Sequence, residues 1–166
     1  LNATYTISLG AGASSNTIKN CVIQNYSSGV SYLSSAIQLN GGNNPSTTIQ
    51  NNAISNCAVG IIAVGTSANP LTGLSINGNT ITCASSTAAD LSLIGIQSGY
   101  ASGSIFGNTV SVTENYTGAT SAPVGISLET GFINSLVYQN AITNVTTANT
   151  NGHGGRGLTI GTGSAT

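Results

Sequence analysis

The sequence predicts an all-β chain folded as a parallel β-helix, or β-solenoid, with about five coils of roughly 30 residues and three short strands per coil. Three observations carry this expectation. Two short motifs alternate along the whole chain, each has the period of two that marks a strand, and no segment shows a helical apolar stripe. Residues 1–166 are therefore read as a single β-helix domain.

The first motif is an apolar residue, two residues, a small polar residue, one residue, and a second apolar. Its copies are Ile18-Cys21-Ile23, Ile49-Asn52-Ile54, Ile76-Asn79-Ile81, Ile105-Asn108-Val110 and Val137-Asn140-Ile142, with starts 31, 27, 29 and 32 residues apart. The second is an apolar pair at spacing two: Ile7-Leu9, Ile37-Leu39, Ile62-Val64, Ile96-Ser98, Ile126-Leu128 and Leu158-Ile160. Gly95, Gly125 and Gly157 stand directly before three of these pairs. A repeat of this length buries its apolar face by stacking on its neighbours. The second motif supplies the first strand of each coil. The second strand ends at the leading apolar residue of the Asn motif, and the third carries that motif's second apolar residue.

The small polar residue falls at the bend between the second and third strands, where Asn tolerates left-handed backbone geometry. Stacked coil on coil, Asn52, Asn79, Asn108 and Asn140 would form a structural ladder of amides about 4.8 Å apart. Cys21 takes the place of Asn in the first copy, which suggests a buried rung that accepts a small apolar group.

Thr48-Ile49-Gln50-Asn51-Asn52-Ala53-Ile54, together with the Gly-apolar strands, resembles the repeat of right-handed parallel β-helix proteins of the pectate-lyase-like fold. It is also similar to repeats of bacterial surface proteins and autotransporter passenger domains. The resemblance spans nearly the whole chain and implies a right-handed solenoid. It names an architecture that serves lyases, hydrolases, adhesins and spikes alike.

Enzymes of that fold act on acidic polysaccharides, the lyases with calcium held by carboxylates and the hydrolases with sets of Asp. Calcium takes six to eight oxygen ligands, and glycoside hydrolysis needs two carboxyls flanking one bond. Here Asp90, Glu114 and Glu129 are the only acids and belong to different coils and corners. Gly152-His153-Gly154, followed by Leu158-Thr159-Ile160-Gly161, resembles the Gly-His-Gly segment of polygalacturonases. Gly155, Arg156 and Gly157 interrupt it, however, and the accompanying Asp motifs are absent, so His153 is read as a solvated loop residue. The expectation is a chain without catalytic residues, metal or cofactor.

Lys19 and Arg156 are the only basic side chains besides His153. Such a charge census suits neither nucleic acid nor an anionic membrane surface, and no apolar run approaches the ~18 residues of a membrane span. Asn-x-Ser/Thr triplets at Asn2, Asn25, Asn115 and Asn144 are candidate glycosylation sites and fit an extracellular or cell-surface location. Three cysteines allow no complete disulfide framework. Cys57 and Cys83 sit three and two residues past Ile54 and Ile81. They could come within the ~4.4–6.8 Å Cα separation of a disulfide if the register slips by one residue. Free, buried thiols are the expected state.

On the third strand the outward positions are small and mostly hydroxylated. Ser55, Thr80, Thr82, Thr109, Ser111 and Thr143 form a candidate hydroxyl face. The chain also begins and ends on the same motif, in phase, so an uncapped solenoid is expected. It would be a fragment continuing covalently into neighbouring coils, or a subunit that self-associates end to end. The first functional expectation is a non-catalytic structural or adhesive module of an adhesin, spike or filament. The second is carbohydrate or ice binding, and the third a polysaccharide lyase or hydrolase.

Overall fold

A computed structural model describes residues 5–24, 35–39, 42–85, 93–119 and 121–161. Among them every regular element is a strand. Sheet A stacks β1 (Tyr5–Leu9), β4 (Ser35–Leu39), β7 (Val59–Val64), β10 (Ile94–Gly99), β13 (Val124–Leu128) and β16 (Arg156–Ile160). Sheet B stacks β2 (Thr17–Lys19), β5 (Thr48–Gln50), β8 (Leu71–Asn77), β11 (Ala101–Phe106) and β14 (Leu136–Tyr138). Sheet C stacks β3 (Val22–Gln24), β6 (Ala53–Cys57), β9 (Thr80–Ser85), β12 (Thr109–Glu114) and β15 (Ala141–Thr147). All pairs are parallel, and each strand pairs with the strand three places on. The chain is a parallel β-solenoid of about four turns. The about five coils read from the repeats differ little from this: sheet A stacks six strands, sheets B and C five each.

The core is three apolar columns in register. Sheet A contributes Ile37, Ile61, Ile96 and Ile126; sheet B Ile18, Ile49, Ile76, Ile105 and Val137; sheet C Ile23, Ile54, Ile81, Val110 and Ile142. Ile49, Ile76 and Ile105 have no solvent exposure, and each such side chain contributes about 1.5–3 kcal/mol by leaving water.

In β7 the inward pair is Ile61 and Ala63, not Ile62 and Val64 as the motif suggested. Ile61 pairs with Ile37 and Ile96, whereas Ile62 aligns with the outward Gln38 and Gln97. A one-residue shift exchanges the faces of a strand, and β7 is apolar on both faces, so alternation alone misassigns it. The informative residue is Gly60, which precedes Ile61 as Gly95, Gly125 and Gly157 precede Ile96, Ile126 and Leu158. A Cβ at Gly60 would lie 2.5 Å from both the Gly95 carbonyl oxygen and Ile81 Cγ2. Gly95 and Gly125 are crowded in the same way by Val110 and Ile142. This glycine column lets sheet A close against sheet C.

The bend between sheets B and C also differs from expectation. The left-handed residue is the one before each ladder position: Asn20, Asn51, Gly78, Gly107 and Gln139, with φ between 53° and 64°. Asn52, Asn79, Asn108 and Asn140 themselves are not left-handed. The left-handed step turns the chain so that the following side chain enters the interior. Cys21, at the first such position, is only half-buried, because its rung lies at the end of the stack rather than inside it.

Candidate functional site

Asn52, Asn79, Asn108 and Asn140 are joined amide to amide across successive rungs. The backbone N–H and the Nδ2 of Asn52 both donate to Asn79 Oδ1 at 3.0 Å. Asn79 binds Asn108 Oδ1 in the same way at 3.0 and 2.9 Å, and Asn108 binds Asn140 Oδ1 at 3.1 and 2.9 Å. The other amide hydrogens reach back one rung to the carbonyls of Ile18, Ile49, Ile76 and Ile105 at 2.9–3.0 Å. The Cys21 N–H donates to Asn52 Oδ1 at 3.0 Å, while its thiol turns to the Lys19 carbonyl. Asn52, Asn79 and Asn108 are at most 2% exposed, and each is satisfied within the ladder.

On the outer face of sheet C two columns align residue for residue. One is Val22, Ala53, Thr80, Thr109 and Ala141, and the other Gln24, Ser55, Thr82, Ser111 and Thr143. Ser55 and Ser111 are half-buried, and Thr80, Thr82, Thr109 and Thr143 are exposed. The array is uncharged and small-chained, and it offers hydroxyls at the strand spacing of about 4.8 Å. Of the glycosylation triplets, Asn115 and Asn144 are exposed, Asn144 at φ 50° in a bulge of β15. Asn2 and Asn25 lie outside the described residues.

Glu114 and Glu129 do not converge. Glu114 closes β12 with its side chain inside, where Oε1 accepts the Tyr116 N–H at 2.6 Å and Oε2 has no partner. Desolvation raises its pKa above the usual carboxylate range, the Tyr116 N–H opposing the shift. Glu129 follows β13 on sheet A and accepts a hydrogen bond from Gln97 Nε2 at 2.5 Å. Asp90 lies outside the described residues. His153 is exposed in the loop before β16, its carbonyl held by Asn149 Nδ2 at 3.1 Å, and Arg156 opens β16 in solvent. Inside, the Cys57 and Cys83 sulfurs lie 3.5 Å apart, both thiols free. The hydrogen bond with Cys57 and burial push the Cys83 thiol well above its ordinary range.

A groove at the corner between sheets A and B has no counterpart in the sequence motifs. Its volume is about 580 Å³, with walls that include Pro70, Thr72, Tyr100, Ser102, Ile133 and Asn134. Unequal connections create it. Six residues join β7 to β8 and seven join β13 to β14, but Tyr100 alone joins β10 to β11. The middle rung is thus cut back between two protruding ones. Tyr100 holds φ 42°, a conformation costing a bulky residue about 1–3 kcal/mol. Its N–H donates to the Thr130 carbonyl at 2.9 Å and its carbonyl accepts the Leu71 N–H at 2.8 Å, which ties it to both protruding rungs. The available signal was the seven-residue separation of Ser98 and Ile105, against nine between Leu128 and Val137.

The chain matches no family model, no curated protein and no solved structure.

Replacing Asn79 by Ala leaves the buried Asn52 N–H and Asn108 Oδ1 short of partners. The expected loss is about 2–4 kcal/mol, a fall in Tm on the order of 5–15 °C by circular dichroism; an unchanged Tm would show that the ladder is dispensable. Glu114 gives a pH signature. A carboxyl whose pKa is raised by folding stabilises the fold below its unfolded value, about pH 4.3, and loses that contribution as pH rises through the folded value. Glu114→Gln should therefore melt increasingly above wild type between pH 4 and pH 7. A gap independent of pH would mean that Glu114 does not titrate with unfolding.

Proposed function

We propose that this chain is a non-catalytic, extracellular structural or adhesive module: a rigid length of a surface adhesin, spike or end-to-end stacked filament. The observation that carries the reading is the register of sheet C, whose outer columns present small hydroxyl and methyl groups without charge over the four rungs from Ala53 and Ser55 to Ala141 and Thr143. Such a face permits close lateral approach to a neutral surface. The two described acids add support, since one is buried and the other is held by Gln97 on a different sheet. Leu158 and Ile160 of β16 are 44% and 71% exposed, a face that further coils, of this chain or of a second copy, would cover. Electron microscopy of the native protein tests the assembly. Filaments with an axial repeat of about 24–29 Å, five or six strands at the inter-strand spacing, are the expected result for a stacking subunit. Isolated short rods at high concentration would remove the filament form and leave a segment of a larger surface protein.

A second reading, binding of a neutral carbohydrate, draws support from the groove around Tyr100. Its volume lies in the ~300–1,000 Å³ range of small-molecule sites, and an aromatic ring with a few hydroxyl and amide groups suits an uncharged sugar face. Titration with neutral oligosaccharides, followed by NMR, should shift resonances of Tyr100, Ser102 and Asn134, and Tyr100→Ala should weaken binding at least tenfold. Shifts confined to the sheet C hydroxyls would place recognition there instead, and no shifts at millimolar sugar would exclude this reading.

A further inference from the structure

We infer that Cys57 and Cys83 are an oxidative modification site, a dithiol that a disulfide-class oxidant closes into a covalent bond between the second and third rungs. The placement depends on one bulge. Ser55 pairs with Thr82 in normal register, Asn56 takes φ 56°, and the next pair is Cys57 with Cys83. Without that extra residue Cys57 would fall on the opposite face of β6. With it, the two residues are direct partners on neighbouring strands about 4.8 Å apart, inside the ~4.4–6.8 Å Cα window of a disulfide. The sulfurs already lie 3.5 Å from one another, both side chains at most 2% exposed. Packing alone does not call for sulfur here, since Val112 fills the same inward column one rung further on. Cys21 is separate: it sits half-buried at the head of the Asn ladder with its thiol on the Lys19 carbonyl.

The oxidant can be a small disulfide such as oxidised glutathione. One cysteine thiolate attacks it, releasing one glutathione thiolate and leaving a mixed disulfide. The second cysteine thiolate then attacks the protein-side sulfur and releases the second glutathione. Two protein thiols become one disulfide, the oxidant takes up both electrons as two thiols, and the two protons pass to them. Because both sulfurs are enclosed and the Cys83 thiol is held protonated, the exchange proceeds while the rungs are assembling or locally open rather than in the closed fold.

The test is refolding of the full chain from denaturant in a reduced/oxidised glutathione buffer, followed by thiol titration under denaturing conditions, intact mass and a non-reduced peptic map. The expected product keeps one thiol of three, is lighter by about two hydrogen masses, and yields a Cys57–Cys83 linked peptide. Its Tm should exceed that of the reduced protein by on the order of 5–15 °C, because the bond closes a loop of 26 residues, and the gain should vanish on reduction. Cys21→Ser should show the same gain with no remaining thiol, and Cys83→Ser should lose it. Three free thiols after refolding, glutathione adducts left on Cys57 or Cys83, or a bond that engages Cys21 would each overturn the assignment.

Discussion

The solenoid depends on how it turns the corner between sheets B and C. A left-handed residue swings the chain, and the next N–H is then pointed at its neighbouring rung where no backbone carbonyl is in line. Asn Oδ1 fills that position, accepting the misplaced N–H and an amide hydrogen together. A buried N–H left unpaired would cost about 1–3 kcal/mol at every rung, so the sharp bend and the Asn column stand or fall together. Sharp bends in turn keep β6, β9 and β12 directly after β5, β8 and β11, which is what lets Ile49, Ile76 and Ile105 meet the apolar column of sheet C. Cys21 marks where the requirement relaxes: at the first described rung only one N–H needs an acceptor, and Asn52 provides it.

The same alternation that drives Ile54, Ile81 and Val110 inward sets their neighbours outward in registered rows. Outer chemistry is therefore uniform along the axis wherever the rungs are alike, as on sheet C, and becomes particular where rungs differ in connection length, as around Tyr100. The Glu114 carboxyl is spent on its own turn, and Glu129 is engaged by Gln97.

Much of this architecture was legible in the sequence because the motif encodes spacing, inward face and outward face together. The Asn positions and the sheet C columns could be aligned from Ile49, Ile76 and Ile105 alone. Where the pattern was ambiguous it misled: Val59 to Val64 is apolar throughout, so the choice between Ile61 and Ile62 rested on Gly60. Likewise the pair Asn51-Asn52 does not reveal which residue takes the left-handed turn and which points inward. The groove escaped notice because it is a difference between rungs, whereas a repeat search looks for what rungs share. The meeting of Cys57 and Cys83 needed a bulge at Asn56, a backbone event that residue types alone do not announce.

Every strand is paired only with the rung before and the rung after, so all the ladder hydrogen bonds run along the axis of the stack. Tension applied between the two ends loads these bonds one rung at a time, in an unzipping rather than a shearing geometry. A terminal coil can then peel away while the rest stays intact, and roughly 30 residues freed from it extend to about 100 Å. A short rod built this way would behave under load as a series of modest, equally spaced extensions, lengthening many-fold before it lost its grip.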